Sequence, residues 1–228
     1  MSFKRIECTG TYPEGNELNS KLVGIGFKIG SPIEKNPNIE DTIIAAAIEG
    51  LDGDFRDLSL LTDWFSIHYK CVNIDRLIRA LKTIKDIRIK SYFSAVGKWL
   101  EKHSGYKRLS KIYRGEKILL GLTKDYQFLI TRNGLDERFV NSKLLVAKGT
   151  LRSRLDDILV PSDLAKIHSD YYYRILIGPS YRADMVSQYI NDPKLTASSL
   201  AQKTYGSFAT AWSVMKDINT INIKKSLL

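Results

Sequence analysis

The chain has few of the residues that build disulfide-stabilised and metal-binding proteins. It contains two cysteines, Cys8 and Cys71, which are too few for a disulfide framework and match no metal-binding spacing. Its three histidines include no His-Glu-x-x-His pattern or related ligand spacing. These absences argue against a disulfide-rich secreted protein and favour a reducing compartment. We predict no metal and no cofactor, and we assign no catalytic residue.

Long apolar runs are also lacking. No stretch approaches the roughly 18 apolar residues that a membrane span needs, and residues 1–7 lack the apolar run of a signal peptide. The 43% apolar content is nevertheless enough for a sizeable core in one or two domains. We therefore expect a cytoplasmic globular protein that has no membrane partner.

The common nucleotide-binding and catalytic motifs are missing as well. The glycines at Gly24, Gly26 and Gly30 miss the dinucleotide-binding spacing by one residue, and no Walker loop is present. No Gly-x-Ser-x-Gly element marks a hydrolase nucleophile either. The sequence therefore gives an enzyme less support than a binding protein.

One cluster of carboxylates leaves an enzyme interpretation open. Asp52, Asp54, Asp57 and Asp63 lie close together in the sequence, and two such groups can hold Mg²⁺ in an enzyme that acts on nucleic acid. Against this, Asp57 and Asp63 are six residues apart, which places them on different faces of a helix. A magnesium-dependent enzyme is therefore only our second alternative.

Positive charge is concentrated in one part of the chain. The net charge is +10, and residues 70–114 contain 13 Lys or Arg but only 3 Asp or Glu. Such a block is typical of a surface that meets a polyanion, although a solvated helix face would look the same. The basic residues we expect at a DNA-binding surface here are Lys82, Lys85, Arg88 and Lys90.

Hydrophobic periodicity predicts a mainly α protein with a small β component. We predict an irregular segment at residues 1–37, followed by a mainly helical domain at 38–178 with a β-hairpin at 117–131. Asn38 and Asn73 are expected to cap helices in that domain. A Gly-Pro pair at residues 178–179 then separates a C-terminal domain at 180–228.

The C-terminal segment predicts three short helices in a helix-turn-helix arrangement. Thr196 is expected to cap the second helix, and Ser207 the third. Tyr205 and Gly206 form the turn between them, where we expect Gly206 to take the left-handed conformation.

Residues 180–223 resemble bacterial winged helix-turn-helix modules. The resemblance rests on the pair Leu200-Ala201, the glycine turn at 206 and the spaced apolar residues Ala211, Met215 and Ile218. It covers about a fifth of the chain, and it implies the fold more than the activity. It also implies a β element at the end, where one strand fits after Thr220.

The outward face of the third helix defines the predicted DNA contacts. A DNA-binding transcriptional regulator or antitoxin-like protein would use this face on duplex DNA. The same surface allows a protein–protein adaptor that docks a partner protein or a second copy, because Phe208 and Trp212 are aromatic. The predicted DNA-binding residues of the module are Thr196, Ser207, Thr210, Trp212, Ser213 and Lys216.

Overall fold

The computed structural model describes residues 4–8, 12–53 and 55–225, and within them the fold is mainly helical with a small β part. Two short strands, β1 (Ile118–Leu119) and β2 (Leu144–Leu145), pair in parallel. The helices are α1 (Gly15–Gly24), α2 (Ile39–Leu51), α3 (Phe55–His68), α4 (Ile74–Thr83), α5 (Ile87–Trp99), α6 (Tyr106–Leu109), α7 (Lys124–Asn133), α8 (Pro161–Ile167), α9 (Ser169–Ile177), α10 (Tyr181–Asn191), α11 (Ala197–Thr204) and α12 (Phe208–Lys225).

Short polar side chains begin several of these helices. Asn38 accepts a hydrogen bond from the amide of Asp41 at 3.0 Å, and Asn73 accepts one from the amide of Arg76 at 3.2 Å. Each bond satisfies an amide that has no partner within the helix. The predicted starts of α2 and α4 are therefore confirmed.

The larger core is built around α3 and α5. Trp64 and Phe65 of α3 meet Phe93 of α5, and the rings of Phe65 and Phe93 are edge-on at 6.2 Å. The indole nitrogen of Trp64 donates to the carbonyl oxygen of Ile25 at 2.8 Å, so α1 is held to the same core. Gly97 of α5 lets the segment after α6 approach, because a Cβ atom there would lie 2.4 Å from the amide nitrogen of Ser110.

A second, smaller core lies within α10, α11 and α12. Met185, Leu200, Ala201, Ala211 and Val214 are all buried in this cluster. The small side chains of Ala201 and Ala211 permit close packing of helices that cross at a tight turn. The three predicted helices of the C-terminal segment are thus confirmed.

A buried ion network lies between the two cores. The guanidinium of Arg174, in α9, donates to Glu40 of α2 at 2.6 and 2.8 Å and to Asp184 of α10 at 2.7 and 3.0 Å. Burial works against charge on Glu40, but the charges of Arg174 and Arg76 outweigh it and lower the pKa of this carboxyl. Burial raises the pKa of Asp184.

Two predictions for the first 133 residues are wrong. Residues 1–37 are not irregular throughout, since α1 occupies part of them. The hairpin at 117–131 is also wrong: β1 pairs with β2 instead, and the second apolar run lies in α7. A short apolar run does not distinguish a strand from a helix, and Tyr126, buried from α7, accepts a bond from the amide of Ala147 at 3.0 Å.

The expected strand after Thr220 is wrong too. Helix α12 continues to Lys225, and the hydroxyl of Thr220 donates to the carbonyl oxygen of Lys216 at 2.8 Å. No Gly or Pro interrupts residues 208–225, so nothing in the sequence ends the helix earlier.

The turn between α11 and α12 also differs from expectation. Tyr205, not Gly206, takes the left-handed conformation, with φ of +53°. Gly206 is instead required by space, because a Cβ atom there would lie 2.2 Å from the terminal methyl of Met185. Finally, none of the described helices is long and apolar enough to cross a membrane.

Candidate nucleic-acid interface

Three of the predicted contact residues belong to helix caps or lie beside them. Thr196 and Ser199 form a reciprocal capping box at the start of α11. Ser207 is buried, accepts a bond from the amide of Thr210 at 3.1 Å and shares a further hydrogen bond with the Thr210 hydroxyl at 2.8 Å. Thr196, Ser207 and Thr210 therefore have structural roles that account for their polar groups.

The outer face of α12 carries an aromatic stripe that ends in a cation. Phe208, Trp212 and Lys216 are spaced four residues apart, and both aromatic side chains are 43% exposed. The ammonium of Lys216 lies 5.5 Å from the ring centroid of Trp212. Ser213 is half-buried beside this stripe. Trp212 and Lys216 are thus at the surface, as predicted.

The N-terminal segment lies against the turn that precedes α12. Arg5 pairs with Ser207 in an antiparallel bridge, and the amide of Ile6 donates to the carbonyl oxygen of Gly206 at 3.1 Å. The guanidinium of Arg5 lies 4.5 Å from the ring centroid of Tyr181. This contact adds a cation beside the start of α12 that the sequence patterns did not predict.

Arg79 joins the basic helix α4 to the same turn. Its guanidinium donates to the carbonyl oxygens of Tyr205, at 3.1 Å, and Ile6, at 2.6 Å, and to the hydroxyl of Tyr181, at 2.9 Å. One side chain therefore holds α4, the N-terminal segment and the turn between α11 and α12 in register.

A basic cleft of about 520 Å³ lies between α4 and the segment that contains α6. Asp75 is the one carboxylate among its described lining residues, and it is paired with Arg108 at 2.5 Å. The cleft therefore has an excess of positive charge, which favours a polyanion. The cations that line it are Arg5, Arg79, Lys82, Arg108 and Lys111.

The four basic residues predicted from the charge block separate in the structure. Lys82 lines the basic cleft, whereas Lys85 and Lys90, near the beginning of α5, do not. The guanidinium of Arg88 turns towards α2, where it donates to the carbonyl oxygen of Leu51 and lies 3.7 Å from Asp52. The block thus contributes one of these four residues to the cleft.

The carboxylates of the enzyme alternative take separate partners. Asp63 is buried and accepts a hydrogen bond from the amide of Arg154, while Asp52 lies near Arg88. Asp54 lies outside the described residues. Within the part of the chain that the structure describes, no three His, Cys, Asp or Glu residues form a group that could hold a metal ion.

Comparison with known proteins finds no relative of this chain. No protein-family model matches it. No curated protein and no solved structure matches it either. The contacts around α12 and the basic cleft therefore carry the functional assignment.

Proposed function

We propose that the protein binds duplex DNA, as a transcriptional regulator or antitoxin-like protein. Helix α12 would enter the major groove, and the cations of the basic cleft would contact the phosphate backbone. The helix-turn-helix arrangement of α11 and α12 supports this assignment, as does the resemblance of residues 180–223 to winged helix-turn-helix modules.

The observation that carries the proposal is the position of Arg5. This residue lines the basic cleft and also lines a groove beside Phe208, at the start of α12. Helix α12 and the cleft cations therefore share one continuous surface. Phosphate contacts supply much of the affinity for duplex DNA, so a surface of this kind has what binding requires.

The composition of α12 favours binding with modest sequence preference. Its outward face offers Ser213 and Lys216, but none of the Arg, Asn or Gln side chains that usually specify a base stands between 208 and 218. A lysine is a point charge on a flexible stem and mostly contacts phosphate. We therefore expect backbone contacts to dominate the affinity.

A matched pair of double variants tests the proposal. Lys82→Gln/Lys111→Gln removes two exposed charges from the cleft, and Lys85→Gln/Lys90→Gln removes two charges from outside it, near the start of α5. Fluorescence anisotropy on a random duplex, measured over a salt series, gives the slope of log affinity against log salt. The cleft variant should flatten that slope by about 0.9 for each phosphate that the protein no longer neutralises.

The α5 variant should stay close to the wild type in this assay. Equal slopes for the two variants would mean that only net charge matters and that the cleft is not the contact surface. If the wild-type protein does not bind duplex DNA at low salt, the proposal is wrong.

The runner-up is a protein–protein adaptor, and exposed apolar groups favour it. Phe208 and Trp212 are both exposed on α12. Helix α9 also presents an apolar face, and exposed apolar groups that lie together often mark a docking site. A pull-down in which Trp212→Ala loses a co-purifying protein but keeps DNA affinity would support the adaptor. The exposed residues of α9 are Tyr172, Ile175, Leu176 and Ile177.

A further inference from the structure

A second cleft, of about 510 Å³, adjoins the basic cleft across the Asp75–Arg108 ion pair, whose two residues line both. Its wall includes an aromatic pair, Tyr69 and His103, with ring centroids 4.1 Å apart and planes inclined by 34°. Residues 177–180, which connect α9 to α10, form another wall. The cleft therefore combines a flat aromatic surface with the start of the C-terminal helices.

Positive charge surrounds this aromatic pair. Lys70 and Arg108 both line the cleft, and its single carboxylate among the described lining residues, Asp75, is already paired with Arg108. Ser180, which caps α10, also lies in the wall, so the positive end of the dipole of an 11-residue helix faces this region. Cations and a helix N-terminus together favour an anionic group such as a phosphate.

One buried donor at the cleft lacks a partner. Asn73 lines the cleft and is 2% exposed. Its side-chain oxygen accepts from the amide of Arg76, but its side-chain nitrogen has no hydrogen-bond partner among the described residues. A buried donor left unsatisfied is costly, and such groups call for an explanation. A ligand that accepts from this nitrogen would supply one.

We propose that this cleft binds a small anion that carries a flat ring, of the mononucleotide class. The base would lie on Tyr69 and His103, the phosphate would meet Lys70 and the N-terminus of α10, and Asn73 would donate to the ligand. The volume falls within the roughly 300–1,000 Å³ of small-molecule sites. This site does not depend on whether the protein binds DNA.

Calorimetric titration with the four ribonucleoside monophosphates tests the ligand class. Adenosine and ribose 5-phosphate serve as half-ligands, since one lacks the phosphate and the other lacks the base. A mononucleotide that binds at least about tenfold more tightly than either half supports the site, because each recognition element then contributes to affinity. If none of the four binds better than ribose 5-phosphate, the aromatic pair is not used and the proposal fails.

Two variants and a matched control locate the binding. Asn73→Asp keeps an oxygen to cap α4 but replaces the unpartnered donor with a negative charge, and Lys70→Gln removes a cation. Each should weaken mononucleotide binding about tenfold or more. Lys107→Gln, at an exposed position of α6 outside the cleft, should leave binding unchanged. Thermal unfolding of each variant verifies that it is folded.

A short single-stranded oligonucleotide distinguishes a free nucleotide from a nucleic-acid strand. Binding of mononucleotides that responds to both variants supports the proposal. If only the oligonucleotide binds, the cleft belongs to a nucleic-acid surface and the small-molecule site is refuted. Variants that bind mononucleotides like the wild type would also overturn it.

Discussion

The guanidinium of Arg79 donates a hydrogen bond to the carbonyl oxygen of Tyr205 at 3.1 Å, across 126 residues of sequence. Tyr205 is the left-handed residue that turns the chain from α11 into α12. The same guanidinium holds Ile6, so it organises three segments that are distant in sequence. The relative placement of α4 and α12 therefore depends on one side chain.

Arg79→Ala should destabilise the fold by about 2–3 kcal/mol, because it leaves three acceptors without a charged donor. The amide of Ile6, which donates to Gly206, should also exchange faster with solvent. Denaturant unfolding and hydrogen exchange measure the two effects. Lys82→Ala, on the same helix and exposed, should change stability by less than about 0.5 kcal/mol. Equal effects of the two substitutions would contradict this role for Arg79.

Local signals were sufficient to predict the helices of residues 38–99 and 180–219. Asn38, Asn73 and Thr196 each precede an apolar-periodic run, and each caps a helix in the structure. These motifs act within one turn of helix, so sequence alone reveals them. The hairpin prediction failed because the partner of β1 is β2, which lies beyond α7, and short-range patterns do not encode such pairing.

The candidate interface was predictable only in part. Exposure of Trp212 and Lys216 follows from helical periodicity, and the charge count pointed to the right region. Arg5 and Lys111 were missed because they reach the cleft through tertiary contacts. A charge count indicates how many cations a segment has, and it does not indicate which of them point into one cleft.

The outward face of α12 provides a second prediction. Lys216→Gln should weaken binding to all duplexes to a similar degree, since this lysine mostly meets phosphate. Ser213→Ala should alter the preference between sequences by about 1–3 kcal/mol if the hydroxyl touches a base. Anisotropy titrations against a panel of duplexes measure both effects. Thr210→Ala is less informative, because the Thr210 hydroxyl hydrogen-bonds with Ser207.

Trp212→Ala separates the two candidate functions. On a DNA-reading helix its truncation should cost little, since the ring would lie at the edge of the contact. On a protein-docking surface it should be a hot spot worth about 2 kcal/mol or more. Anisotropy with duplex DNA, together with a pull-down from the native cell, distinguishes these outcomes. A large drop in DNA affinity would contradict placement of Trp212 at the rim.

The buried ion network provides a further prediction. Arg174→Met should destabilise the fold by about 3–5 kcal/mol, because Glu40 and Asp184 would be left buried without their common partner. Arg182→Met is the matched control, since Arg182 forms an exposed pair with Asp217 that should be worth less than about 1 kcal/mol. Denaturant unfolding compares the two. Similar decreases in stability would refute the assignment of Arg174 as the joint between the cores.

Two buried histidines share Tyr171 as a hydrogen-bond donor. The hydroxyl of Tyr171 lies 2.7 Å from Nδ1 of His68, and its amide donates to Nδ1 of His168 at 3.2 Å. The Nε2 atoms lie 3.0 Å from the carbonyl oxygens of Leu159 and Pro37. This pattern fits neutral rings that carry their proton on Nε2. Burial lowers the pKa of each histidine to about 4.

Acid should therefore weaken the fold before most carboxylates titrate. Between pH 6.5 and about 4 the unfolded chain binds protons at His68 and His168 that the folded chain excludes. The free energy of unfolding should thus fall as the pH falls through this window, by up to about 1.4 kcal/mol per pH unit for each histidine. Urea unfolding at several values from pH 7 to 5 measures the slope. His68→Gln should reduce it by about half, whereas His103→Gln, at an exposed position, should leave it unchanged. A slope that His68→Gln does not alter would show that another group controls acid unfolding.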